Sequence, residues 1–537
     1  MKKQMIDWMA SGVFGWALLM GCVVQAVPGR VTILHTNDTH AHIDDGHVAF
    51  SAIAVEKARA KASGDNVLLV DAGDYVQGTA LGGFDEGRTV IDIMNAAGYD
   101  VATLGNHEFD YGIPRLKELS GMLKTDIVDF NLIDLKTGGR IFAPYKMMKF
   151  GKVKIAVLGI STPYSFVAAN PSYFRDENGK MLYSLCSETF YASLQESINE
   201  ARADGATYVI AIAHIGDDAF DEINSTEMAR RTYGLDVILD GHSHSLVPQR
   251  YLRNLLNQEV LVTSTGSNFG HIGKLTISPK GVFTTEMIDT ADIPEDPIVK
   301  AVTDDAKAKY DELAKRVVGK CEADLIVDDE DGPRQVRSKE MGIGDFTSDA
   351  VRNFLHTDIG LMNGGSIRAA LKKGEITFND IFTVFPFDNT LATATLTGQQ
   401  VLDVLEFSVY VLPIEFGGFL QVSGLKFDVN VQTDTPVVVD VNKNFTHFNG
   451  GPRRVQNVMV ERNGVYEPID PAATYTVASM SFFLKEHGDG YAVLDGVPAT
   501  DTGMRDVDML EAYLLDNLGG VIPAKYATAE GRINIIY

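Results

Sequence analysis

Five short polar motifs follow five apolar runs in the first half of the chain, and this repetition constrains the fold more than any other feature. They read Asn37-Asp38-Thr39-His40, Gly73-Asp74, Gly105-Asn106-His107-Glu108-Phe109-Asp110, Ala213-His214 and Gly241-His242-Ser243-His244. The preceding runs, at 31–35, 67–71, 101–104, 208–213 and 236–239, are short and rich in β-branched residues, as are 153–160 and 260–263. Continuous apolar runs of this length suit strands buried on both faces. Helical patterns lie between several of them, around 48–62, 88–97 and 192–204. The alternation predicts an α/β sandwich. It also places the polar motifs at the carboxyl ends of the strands, the edge where such sheets gather ligands.

A chain of 537 residues is too long for one core, so at least two domains are expected. The stretch 292–297, Asp-Ile-Pro-Glu-Asp-Pro, breaks the pattern, and a charged helix over roughly 298–316 follows it. This divides the chain into a leader, 1–26, a first domain, 27–291, a connecting helix, 292–320, and a second mixed α/β domain, 321–537. The second domain offers a helix-like 344–355, a Gly-rich turn at Asn363-Gly364-Gly365, a strand-like 391–396 and a long β-rich stretch from 419 to 479. The net charge of −25 repels a nucleic-acid polymer but leaves room for a small phosphorylated ligand held by a few local cations.

The leader has Lys2 and Lys3 before an apolar stretch from about Gly12 to Ala26, too short to span a bilayer and suited to a secretory signal. Val24-Gln25-Ala26 fits ordinary cleavage before Val27. Leu19-Met20-Gly21-Cys22 is the competing reading and would put a lipid anchor on Cys22, though Met20 is unusual there. An exported protein, periplasmic or extracellular, is expected. Cys186 and Cys321 are then left as two free thiols.

Five of the twelve histidines fall in the motifs, with Asp38, Asp74 and Asn106 beside them as further candidate ligands. Asp38 and His40 are two apart after a strand, so in extended geometry both point to one side; His242 and His244 repeat the spacing. Gly73 lets the backbone turn sharply before Asp74. Each fragment alone reads as a turn or a core histidine, but the set is a ligand set. Mixed Asp/His/Asn donors suit Zn, Mn, Co or Fe better than Mg or Ca. A pair of cations needs a bridging carboxylate, and Asp74 is the candidate. Asp110 stands one helical turn from His107, where it can accept a hydrogen bond from the imidazole and keep it protonated. His35, His42, His47, His271, His356, His447 and His487 lack such company and are assigned to structure or surface.

The order Asp-x-His, Gly-Asp, Gly-Asn-His-Glu-Phe-Asp, His-x-Gly, Gly-His-Ser-His resembles the calcineurin-like metallophosphoesterases. More closely, the chain resembles the secreted 5'-nucleotidase / UDP-sugar hydrolase / 2',3'-cyclic-nucleotide phosphodiesterase family. The resemblance implies a four-layer α/β/β/α sandwich and two divalent metal ions. It assigns one ion to Asp38, His40, Asp74 and His244, and the other to Asp74, Asn106, His214 and His242. It gives the His107–Asp110 pair the task of meeting the phosphate or the leaving oxygen. Two such cations acidify a water and neutralise phosphoryl oxygens.

In the second domain, Arg337 and Arg368 offer forks for phosphate, and the glycines after Asn363 let backbone N–H groups approach an anion. Phe387 and Phe483 could sandwich a base, and Asp489 could accept from ribose hydroxyls. The family uses Arg, Asn, Arg, Phe, Phe and Asp in this order for the nucleotide, and they fall here on Arg337, Asn363, Arg368, Phe387, Phe483 and Asp489. Some UDP-sugar hydrolases carry a further Arg four residues before the first; here that position is Pro333, with Arg334 beside it. The leading expectation is an exported dimetal 5'-nucleotidase in which the first domain does the chemistry and the two phenylalanines only read the base. The alternatives are a UDP-sugar hydrolase, a 2',3'-cyclic-nucleotide phosphodiesterase, or a non-catalytic nucleotide-binding surface protein.

Overall fold

The computed structural model describes residues 29–537 except 44–48, 84, 177–178, 218–221, 292, 331, 388 and 463. The leader, Cys22 and His47 lie outside the described residues. Two six-stranded sheets are stacked in the first half of the chain. One runs, in spatial order, Phe283–Asp289, His271–Ile277, Val31–Thr36, Asn66–Asp71, Val101–Ala102 and Asp126–Ile127. The other runs Leu246–Arg253, Glu259–Thr265, Val237–Asp240, Tyr208–His214, Val153–Ser161 and Tyr145–Phe150. In both sheets the motif-bearing strands pair in parallel, so their carboxyl ends share one edge.

Why these runs are apolar throughout is visible in how alternate residues face. Ile33, Leu68, Val70, Val157, Ile210, Ile212 and Leu239 meet between the two sheets. Their neighbours Leu34 and Leu69 turn outward onto Phe50, Ile53, Ile91 and Met94 of the helices Ala49–Ala62 and Arg88–Ala97. On the other side Ala156, Leu158 and Ile160 pack against Phe190, Leu194 and Ile198 of the helix Phe190–Ala203. The result is the four-layer α/β/β/α sandwich. A strand covered on both faces has no polar side, so period-two alternation is lost.

The connecting helix is Pro297–Ala314. Asp296 starts it, accepting from the backbone N–H of Ile298 and Val299 at 2.9 and 3.0 Å, and proline occupies the first turn, where its missing N–H costs nothing. The helix lies along Arg88–Ala97, and its Tyr310 and Ala314 pack with Leu81 of the first domain and Phe382 of the second. Beyond it, a five-stranded sheet in the order Leu420–Ser423, Ile359–Asn363, Thr474–Met480, Thr390–Thr397, Ala499–Arg505 forms the centre of the second domain. Helix Gly342–Leu355 covers one side and Gly398–Ser408 the other. Cys186 and Cys321 are free thiols. No helix among the described residues is long and apolar enough to cross a membrane.

Candidate metal centre and adjoining cavity

The loops that carry the motifs are bent, not extended. Asp38, His40, Asp74, His242 and His244 all have positive φ, between 46° and 78°. This corrects the expectation that Asp38 and His40, and likewise His242 and His244, share a side by strand pleat. Their convergence comes from left-handed turns, which non-glycine residues adopt only where the surroundings enforce them. The enforcement is visible: Asp38 N–H donates to the Gly73 carbonyl and His40 N–H to the Asp74 carbonyl, both at 2.9 Å. Gly73 has φ +94°, and a Cβ there would lie 2.4 Å from the Gly105 nitrogen. Only glycine lets these two loops touch.

Their side chains meet in a buried knot. Asp38 Oδ1 lies 3.5 Å from His244 Nε2, 3.8 Å from His214 Nε2 and 3.9 Å from His40 Nε2. The two Nε2 atoms of His40 and His244 are 2.9 Å apart. Asp74 Oδ2 is 3.0 Å from His214 Nε2 and 4.0 Å from His107 Nε2. The His242 ring is 5.2 Å from that of His214, and its backbone N–H donates to both Asp38 oxygens. Asn106 Oδ1 and His214 Nε2 are buried without a hydrogen-bond partner.

This arrangement suits cations and little else. His214 Nδ1 sits 2.9 Å from the Ala72 carbonyl and must donate to it, so Nε2 is the atom turned into the knot, where it would be free to ligate an ion. Burial holds His40, His242 and His244 neutral, lowering all three, with His242 brought to about 3. Burial raises Asp38 to about 6. His214 would also be lowered by burial, but Asp74 and Asp38 lift it to about 10. Two enclosed carboxylates draw positive charge, which is what lifts His214, and divalent ions would supply that charge in place of its proton. Among the described residues, three groups drawn from Asp38, His40, Asp74, His107, His214 and His244 have spacings that could hold an ion.

His107 occupies the mouth of the knot. Its Nδ1 is 2.6 Å from Asp110 Oδ2, and its backbone N–H donates to Asp74 Oδ1 at 2.8 Å. Burial opposes its charge, but Asp110 and Asp74 outweigh burial and raise the imidazole above its ordinary value.

A cavity of about 380 Å³ opens from this mouth and is lined by both domains. Asp74, Asn106, His107, Asp110, His242 and His244 face it from the first, and Arg337, Asn363, Arg368, Phe387 and Asp489 from the second. Asn363 Nδ2 donates to Asp489 Oδ2 at 2.8 Å, fixing both, and burial raises Asp489 to about 6. Phe483 is not there. It is fully buried in the core, edge-on to Tyr491 with centroids 4.4 Å apart, while its neighbour Phe482 lines the cavity. Consecutive residues of the short helix Ser481–Leu484 point about 100° apart, so Ser481 and Phe482 reach the cavity while Phe483 turns into the core. Arg334, held in a left-handed turn and paired with Glu415, joins Arg337 and Arg368 along the wall.

Residues 31–246 match the calcineurin-like phosphoesterase family and residues 317–496 match the 5'-nucleotidase C-terminal domain. The chain belongs to the calcineurin-like phosphoesterases that carry a 5'-nucleotidase C-terminal domain. It is 29% identical to the trifunctional nucleotide phosphoesterase YfkN of Bacillus subtilis, over 94% of this chain but only 35% of that protein. It is 28% identical to the 5'-nucleotidase of Bos taurus, over 95% of this chain and 91% of the other. Among solved structures, a 5'-nucleotidase precursor from Thermus thermophilus superposes with a TM-score of 0.78 at 28% identity, covering 94% of this chain and 99% of that one.

Three parts of this phosphoesterase's site escaped the sequence reading. Glu108 is buried and accepts from the backbone N–H of Gly105, Asp74, Tyr75 and Val76, at 2.6, 2.8, 2.8 and 3.2 Å, so it ties two motif loops together. Asn37 donates to Asp38 Oδ2 at 2.7 Å and to the Gly266 carbonyl at 2.8 Å. Both stand inside quoted motifs, where a second polar residue beside a ligand was the available signal. Tyr164, Asn170 and Tyr173 line the cavity from the first domain. No pattern marked them, since a loop tyrosine looks the same whether it faces a ligand or solvent.

Proposed function

We propose that this chain is an exported two-metal phosphohydrolase that releases phosphate from nucleoside 5'-monophosphates. Residues 27–291 supply the chemistry, 292–320 the connection and 321–537 the recognition. The observation that carries this reading is the shared cavity, in which the His107–Asp110 pair faces two arginines and an aromatic wall. Asp38, His40, Asp74 and His244 would hold one ion, and Asp74, Asn106, His214 and His242 the other. Zn, Mn or Co suits these donors. When bound, the ions supply an acidified water and neutralise phosphoryl charge.

The chain's own groups do the rest. Arg337 and Arg368 bind the phosphate and set its phosphorus toward the knot. Phe387 and Phe482 flank the base, and Asp489, steadied by Asn363, accepts from the ribose hydroxyls. Asp110 at Nδ1 leaves the Nε2 proton of His107 free to pass to the ribose 5'-oxygen as the P–O bond breaks. Water adds to phosphorus, and the products are inorganic phosphate and the nucleoside. A second reading, hydrolysis of nucleotide diphosphate sugars, is favoured by Arg334, which adds a third guanidinium beside Arg337 and Arg368. Product analysis after incubation of AMP, UDP-glucose and 2',3'-cyclic AMP with the purified, metal-quantified protein tests both: AMP would give adenosine and phosphate, UDP-glucose would give UMP and glucose 1-phosphate, and the cyclic ester would open to a nucleoside monophosphate. AMP as the fastest substrate supports the first reading, UDP-glucose as the fastest supports the second, and hydrolysis of none overturns both. Detection of the mature protein outside the cytoplasm, beginning at Val27, tests export.

A further inference from the structure

One loop of the second domain reaches two histidines of the first. Gln77 is fully buried, and its Nε2 donates across the domain interface to the Pro386 carbonyl at 3.1 Å. The carbonyl of the same Gln77 lies 3.3 Å from His40 Nδ1, so that nitrogen donates to it and leaves Nε2 facing Asp38 and His244. Gly78 sits flush on His40, since a Cβ there would lie 2.6 Å from the His40 Cβ. One residue beyond Pro386, the Phe387 ring stacks on the His107 imidazole, with centroids 5.6 Å apart and planes 23° from parallel. The Arg368 guanidinium lies 5.6 Å from the centroid of the same Phe387 ring.

From these contacts we infer that Gln77 and Phe387 are positioning residues. They form a latch through which the docked second domain aims His107 and braces His40. This rests on the phosphohydrolase reading and adds to Phe387 a task distinct from flanking the base. The physical need is specific. A single hydrogen bond at Nδ1 leaves the imidazole free to rock about the Asp110 contact, and an aromatic face laid along the ring removes that freedom. The Gln77 amide is buried, and with the Pro386 loop undocked its N–H would lose that acceptor. Chemistry in the first domain and docking of the second are thereby linked by named atoms.

Phenyl phosphate tests this, because it has no base or ribose for Phe387 to contact. Phe387→Ala is expected to lower kcat on phenyl phosphate about tenfold or more, with KM nearly unchanged and metal content intact. Phe387→Tyr, which keeps the ring face, should restore most of the rate. Gln77→Met, which keeps the backbone carbonyl toward His40 but not the interdomain hydrogen bond, should lower kcat in the same way. The double variant should be little worse than the worse single one, because both break one contact unit. A Phe387→Ala protein with wild-type kcat on phenyl phosphate and only a raised KM for AMP would overturn the latch while leaving the proposed function standing. A wild-type protein inert on both substrates would overturn both.

Discussion

His107 Nδ1 stands 2.6 Å from Asp110 Oδ2, one helical turn along the chain, in a pocket that nearly encloses both side chains. The contact fixes which nitrogen keeps its proton for the substrate, so the pair should fail as a pair. His107→Asn and Asp110→Asn are each expected to lower kcat for nucleoside monophosphate by roughly 10²–10⁴-fold with metal content unchanged. Steady-state rates beside metal analysis check this.

Glu108 gathers four backbone N–H groups from the loops of Asp74 and Asn106 without lining the cavity. Glu108→Gln would turn an amide NH₂ toward donors. Its effect should be on metal retention, about 10–100-fold weaker, as for other residues that orient ligands from behind. Chelator competition measures it. A variant that held its metals as tightly as the wild type would remove Glu108 from the account.

The neighbours Phe482 and Phe483 should separate cleanly. Phe482→Ala is expected to raise KM for nucleoside monophosphate roughly tenfold through lost stacking, and to cost stability as well, because the ring also packs in the core beside the cavity. Phe483→Ala should cost about 3–5 kcal/mol of folding stability with KM little changed, because it empties a core position against Tyr491 that does not face the cavity. Urea unfolding and KM, measured on both variants, decide between the two assignments.

His35 is enclosed with neither ring nitrogen hydrogen-bonded, and burial lowers it from 6.5 to about 3. The unfolded chain therefore takes up a proton near pH 6.5 that the folded chain refuses until about pH 3. Stability from this residue is complete above pH 6.5 and falls by about 1.4 kcal/mol per pH unit through that window. His35→Gln should flatten the acid side of a Tm-against-pH curve relative to the wild type, an effect separable from acid loss of metal, which both proteins share.

Much of the first domain was legible because buried parallel strands leave long apolar runs and because ligands sit where those runs stop. Asp38, His40, Asp74, Asn106, His107, Asp110, His214, His242 and His244 could be picked out for that reason, and the structure brings all nine to one place. The turn geometry was not legible. The left-handed conformations of Asp38 and His40 are imposed by the Gly73–Asp74 carbonyls, which belong to another loop. Edge strands such as Leu246–Arg253 alternate exposed and half-buried residues and carry no such run. In the second domain Arg337, Asn363, Arg368, Phe387 and Asp489 line the cavity. Phe483 does not, because two adjacent phenylalanines are identical in composition and only helix phase decides between them. Gln77 was invisible, since its partner lies 309 positions away.

The most direct test of the central claim is phosphate release from AMP by purified protein whose metal content is measured in the same sample. About two divalent ions per chain, turnover that disappears with a chelator and returns with Zn, Mn or Co, and adenosine as the second product are expected. Protein that carries no metal, or that carries metal yet releases no phosphate from any nucleotide, would contradict the account.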